Sequence, residues 1–143
     1  MRARSSIGAI AVAALTACTP GVTAMKDKPT LCTTVAACDA HDGTSVTVIG
    51  TYQRFPDQPG VDYSGVPRGA RLALEDGPGP MLEPYWHKAS VRSDAEVARF
   101  AGKKVRVTGR YHRVQPRNPD DPPYASAMGG SCLYPVEAIE PAE

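Results

Sequence analysis

The chain has 143 residues, 42% of them hydrophobic, with 16 Lys and Arg against 15 Asp and Glu and a formal net charge of +1. That length suits one domain with a modest core, and the balance of charge excludes a polyanion binder that works by bulk charge alone.

The N-terminus reads Met1-Arg2-Ala3-Arg4, a short cationic start, and Ile7 through Leu15 follow as an apolar run. The run has the length of a signal h-region and falls short of the roughly 20 apolar residues that cross a bilayer. It ends in Leu15-Thr16-Ala17-Cys18, and Thr19-Pro20-Gly21 then breaks any helix. Leu15 to Cys18 resembles the bacterial lipobox. That resemblance implies cleavage after Ala17, a diacylglyceryl group on Cys18 and usually an amide-linked third chain; one acyl chain alone would anchor only marginally. Residues 1–17 are then a signal, 18–30 a lipid-anchored tether and 31–143 the exported domain. Thr19 in place of Asp after the Cys implies the outer membrane in preference to the inner. The competing readings are an ordinary cleavable signal that contains a Cys and a buried N-terminal helix.

Removing the signal takes Arg2 and Arg4 with it, leaving 14 basic against 15 acidic side chains, a net charge of −1. Three further cysteines remain, Cys32, Cys38 and Cys132, and in an oxidising envelope two of them are expected to pair. On one helix Cys32 and Cys38 would stand about 9 Å apart, too far for a bridge, so that pairing requires Cys32 to lie before the helix. A Cys32–Cys132 bridge would staple the two ends of the domain, worth about 4.7 kcal/mol for a loop of that order. It is the favoured pairing, with Cys38–Cys132 next. No Cys-x-x-Cys and no His at ligand spacing accompany these thiols, so neither a metal nor another cofactor is expected.

From Leu31 onward the composition is domain-like, and an internal repeat organises it. Gly43–Arg54 and Gly102–Arg113 both read Gly-x-x-Val-x-Val-x-Gly-x-Tyr-x-Arg. Alternation with period two makes each a strand with Val, Val, Gly and Tyr on one face, and the mid-strand Gly fits a bulge or sharp bend. A short helical stretch is expected before each strand. Ser93-Asp94-Ala95-Glu96 forms a capping box with Val97 and Phe100 behind it, and Leu31, Val35 and Cys38 serve before the first strand. Between the repeats lie an alternating strand over Ala70–Gly77 and another near Met81–Ala89; Cys132–Ile139 closes the chain.

The expected fold is mostly β: a five-stranded OB-fold-like Greek-key barrel with a helix between strands 3 and 4 and a short N-terminal helix. The spacing of the glycine-bent strand, Leu72-Ala73-Leu74-Glu75-Asp76-Gly77, the helix, Gly102–Gly109 and the closing strand resembles the OB-fold lipoproteins of bacterial envelopes, a group whose members mostly have no assigned role. An SH3-like barrel is the runner-up, and the helix before the fourth strand argues against it.

Ligands of an OB-fold usually lie between the loop after strand one and the loop after strand four, here Phe55–Gly69 and Val114–Ser131. On the fourth strand Lys104, Arg106, Arg110 and His112 form a basic stripe that Arg54, Arg71 and Arg117 could extend. The stripe suits a lipid headgroup, a cell-wall polymer or an acidic protein; an ordinary solvated strand face is the competing reading. Nucleic acid is not expected, because Tyr52 and Tyr111 fall on the core face and leave only Tyr63, Tyr85, Trp86 and Tyr124 for stacking. Catalysis is not expected either: His41-Asp42, His87 and His112 stand singly, outside any nucleophile or metal signature. Sequence alone therefore points to a non-enzymatic, lipid-anchored binding module of the envelope, or to a structural lipoprotein that packs into a larger envelope complex.

Overall fold

The computed structural model describes residues 28–125 and 129–142; the signal, Cys18 and the tether up to residue 27 lie outside the described residues. The two repeats build the centre of the sheet. Period-two alternation gives β2 (Ser45–Phe55) and β5 (Lys104–His112), which bury Val46, Val48 and Tyr52 and Val105, Val107 and Tyr111 completely. β2 and β5 pair antiparallel with Val48 opposite Val107. Those valines occupy the same place in the repeat, so a local two-fold passes between them. The backbone obeys it at both ends: Gly43 N–H donates to the Tyr111 carbonyl at 2.8 Å, and Gly102 N–H donates to the Tyr52 carbonyl at 2.9 Å.

Gly50 and Gly109 are also equivalent, and close approach explains both. A Cβ on Gly50 would stand 2.7 Å from the Ala73 carbonyl oxygen, and one on Gly109 would stand 2.6 Å from that of Pro135. Each repeat strand therefore needs a bare Cα where a neighbouring strand crosses it.

β3 (Gly69–Leu74) pairs antiparallel with β2 and turns through Glu75-Asp76 into β4 (Gly77–Leu82). β6 (Cys132–Pro141) runs parallel to β4 at Met81 and Leu82 and antiparallel to β5. A short β1 (Thr30–Cys32) lies parallel on β2. The result is one mixed sheet in the order β1-β2-β3-β4-β6-β5, with β5 pairing back onto β2.

Helix is sparse. α1 (Val35–Asp39) is capped by Thr34 and by Asp76 from the β3–β4 turn, whose carboxylate accepts from Val35 N–H at 2.7 Å. That backbone bond is the main reason the Asp76 carboxyl titrates below its ordinary value. α2 (Asp94–Phe100), between β4 and β5 in the chain, is capped by Ser93.

Two expectations need correction. The sheet has six strands and not five, because β1 was invisible in the sequence: three residues carry no period, and Leu31 sits in that strand, 57% exposed, not on a helix. The strand expected near Met81–Ala89 instead spans Gly77–Leu82 and gives way to a 3-10 turn at Lys88–Ser90. Pro78 and Pro80 hid its start. They are tolerated because β4 meets β6 only from Met81 onward, so the missing N–H groups fall where the strand has one neighbour.

Candidate binding groove

The last Tyr-x-Arg of each repeat leads to a cleft. At the end of β2, Tyr52 donates its hydroxyl to Glu96 on α2 at 2.7 Å, and Arg92 holds the same carboxylate bidentately with both contacts at 2.6 Å. Burial pushes Glu96 upward, but the Arg92 and Tyr52 hydrogen bonds outweigh it and leave the carboxyl below its ordinary value. Burial, reinforced by that carboxylate, drives the Tyr52 hydroxyl well above its usual range. At the end of β5, Tyr111 donates to Asp39 on α1 at 2.6 Å, and burial likewise raises its hydroxyl. Each tyrosine thus reaches the helix that precedes the other repeat.

The first cleft, about 680 Å³, lies between the β2–β3 loop and the α2–β5 turn and is lined by Tyr52, Arg54, Phe55 and Arg71 among others. The second, about 470 Å³, is lined by Asp39, Phe55, Arg71, Tyr85, Tyr111 and Arg113, with Gly129–Ser131 from the β5–β6 loop. Phe55 and Arg71 belong to both. The Arg71 guanidinium lies 5.0 Å from the centre of the Phe55 ring, and this stack borders both clefts, which together make the candidate groove. Arg54 stands at one end, 3.5 Å from Asp94, and Arg113 at the other, its side chain in no ion pair among the described residues.

The groove also holds most of the unsatisfied polarity. Three buried side-chain polar atoms lack a hydrogen-bond partner among the described residues, and two of them are Nε of Arg54 and Nε of Arg71. Buried donors are normally satisfied, and a guanidinium is most strongly satisfied by an anion.

Of the residues singled out in the sequence, Arg54 and Arg71 line the groove, and Arg54 does not extend the stripe. Its parity is that of the core-facing residues, and it reaches Asp94 at the strand end. Lys104, Arg106 and Arg110 are exposed on the other face of β5, where Arg106 stands across from Ile49 on β2 and Glu140 on β6. His112 is half-buried, its Nε2 at hydrogen-bond distance (2.9 Å) from the Tyr134 carbonyl oxygen. Arg113, Phe55 and Tyr85 complete the groove. Arg113 was readable as the repeat partner of Arg54, whereas the Phe55–Arg71 stack needs the β2–β3 register, in which Gln53 faces Arg71.

A second cluster surrounds Tyr134, whose ring centre lies 5.2 Å from that of His87 and 6.2 Å from that of His112. Glu83, buried and at φ +71°, places Oε2 3.9 Å from His87 Nδ1 and its other oxygen 2.9 Å from Val136 N–H. Cys132 lies nearby, its thiol pushed by burial up to about 12. Glu83, His87, His112 and Cys132 line none of the five principal clefts. Trp86 packs edge-on to His87 and Tyr134 and donates its indole N–H to the Pro116 carbonyl at 2.8 Å, so it ties the β5–β6 loop down.

The three described cysteines are free and buried. The thiols that face one another are Cys32 and Cys38, not the favoured Cys32 and Cys132. Cys32 ends β1, before α1 begins, which is the condition the sequence set for that pairing. Compared with known proteins, the chain matches no family model, no curated protein and no solved structure.

Proposed function

We propose that the protein is a lipid-anchored binding module of the cell envelope that holds an anionic ligand in the groove between its loops, without catalysing a reaction. The observation that carries this reading is that Arg54, Arg71 and Arg113 line the adjoining clefts, with the Nε donors of Arg54 and Arg71 buried and unpartnered among the described residues. A groove with cationic groups along its length and an aromatic stack at its middle suits an extended anion with apolar parts, such as a lipid headgroup region or a cell-wall polymer. The strand circuit β2-β3-β4-β6-β5-β2, with α2 ahead of β5, supports an OB-fold-like Greek-key barrel with β1 added outside it. In that fold the groove lies beside both ligand-bearing loops.

Anchoring at Cys18 in the outer membrane supplies the location and rests on the lipobox resemblance. Cys18→Ser should leave the protein unprocessed or soluble; protein still cleaved after Ala17 and resistant to a salt wash of the membranes would end that part of the reading. Binding is tested on vesicles of phosphatidylglycerol and on cell-wall fragments. Arg71→Gln with Arg113→Gln should lower retention of one of them, and unchanged retention of both at low salt would refute the groove.

The second reading is a scaffold lipoprotein that packs into an envelope complex through the outer face of β5. It is favoured by the exposure of Lys104, Arg106 and Arg110, which make no ion pair among the described residues. Replacing these three with Gln should then release a protein partner and leave vesicle binding intact.

A further inference from the structure

Cys32 and Cys38 belong to the same buried core, at 1% and 0% exposure. Their elements differ: Cys32 closes β1, and Cys38 is the buried residue of α1. The two-residue link Thr33-Thr34 lets the helix fold back so that its one buried thiol meets the strand's last one. Cys132 sits on β6 between Met81 and His112 and faces Glu83.

Apart from the thiols, α1 is held by Val35 and Ala37 packing on the core and by the Tyr111–Asp39 hydrogen bond. It spans five residues, well below the length at which a helix is stable alone, and its N-terminus rests on Thr34 and on the exposed turn residue Asp76. Yet α1 carries Val35 and Asp39, which wall the second cleft, and Asp39 is the acceptor for Tyr111.

We propose that Cys32 and Cys38 form a disulfide that fixes α1 to β1 and so holds that wall of the groove in place. The oxidant is a disulfide compound, small or protein-borne. A thiolate of one cysteine attacks a sulfur of that disulfide and releases one oxidant thiol. The thiolate of the second cysteine then attacks the bonded cysteine sulfur and releases the other. Two S–H protons pass to the departing thiolates through solvent, and the two electrons leave with the oxidant, now reduced to two thiols. Local opening of the five-residue α1 is the step that gives the oxidant access to the buried thiols; once the helix redocks, the bond is shielded from exchange.

The inference goes beyond the ligand reading, and its test does not depend on the export signal. The full-length protein, in detergent, is incubated with oxidised glutathione, denatured with alkylating agent and digested without reduction. The expected product is a peptide carrying Cys32 and Cys38 unalkylated and lighter by a pair of hydrogens, with Cys132 alkylated. The same linkage should persist in Cys132→Ser, a variant that leaves α1 untouched. Amide exchange over α1 should then rise several-fold on reduction while β5 stays protected. A bond that includes Cys132, three alkylated thiols, or a linked pair whose reduction leaves α1 exchange unchanged would overturn the proposal.

Discussion

The two ends of the β2–β5 ladder start from the same residues and finish differently. Each offers a buried tyrosine hydroxyl to a carboxylate on a helix and then an arginine two positions on. At the β2 end the acids outnumber what the tyrosine needs: Arg92 grips Glu96 with two bonds, and Asp94 sits by Arg54. At the β5 end α1 supplies Asp39 to Tyr111, while Asp42 accepts only from the backbone N–H of Arg113 at 2.9 Å. One end is closed in part by the Arg54–Asp94 ion pair, which leaves the buried Arg54 Nε unpartnered, and the other keeps a whole guanidinium to offer. A repeat therefore makes both strands equally, and the helix that precedes the other strand decides how much of each end's arginine is left for binding.

Removing the hydroxyls separates these roles. A buried hydrogen bond to a charged group contributes about 1.5–3 kcal/mol, so Tyr52→Phe and Tyr111→Phe should each lower stability by about that amount in denaturant melts. Only Tyr111→Phe should also weaken anion retention, because Asp39 is then released into the cleft that Arg113 lines. Equal loss of retention in both variants would show that the ends are not functionally distinct.

Acid provides a smaller effect on the closed end. The Glu96 carboxyl is held below its ordinary value of about 4.5 by Arg92 and Tyr52 despite burial. A group lowered on folding contributes stability that is fully present above its unfolded value and is lost as pH falls through the folded one. Stability should therefore fall with acidification below about 4.5, and Glu96→Gln should flatten that part of the profile while lowering stability at neutral pH. A profile identical to that of the parent would remove Glu96 from the account.

Much of this arrangement could be read in the chain. The alternation of Val46, Val48, Val105 and Val107 specified two buried strands; the matching glycines, read as a bulge or bend, meet one only in the register shift at Gly109, and the close approach of a neighbouring strand at both came from the structure. Period two also placed Lys104, Arg106 and Arg110 on one face correctly. What parity cannot say is whether a face is concave. The stripe lies on an open outer surface, and the groove arises where Phe55 at one strand's end meets Arg71 on the next, a contact set by the β2–β3 register and not by any local pattern. The same limit applies to the cysteines. The spacing of Cys32 and Cys38 was informative only once β1 ended at Cys32, and a three-residue strand held by its partner has no period to reveal it.

The most direct test is a salt series of anion binding on two multiple variants compared with the parent. One carries Arg54→Gln, Arg71→Gln and Arg113→Gln; the other carries Lys104→Gln, Arg106→Gln and Arg110→Gln. Both remove the same charge, so long-range attraction falls alike, and screening beyond about 10 Å at 0.1 M salt suppresses that shared part. At that salt the groove variant should have lost binding to phosphatidylglycerol vesicles or cell-wall fragments, while the strand-face variant keeps most of the parent's affinity. The opposite order, with binding lost only from the Lys104, Arg106 and Arg110 variant, would contradict the assignment of the groove as the binding site.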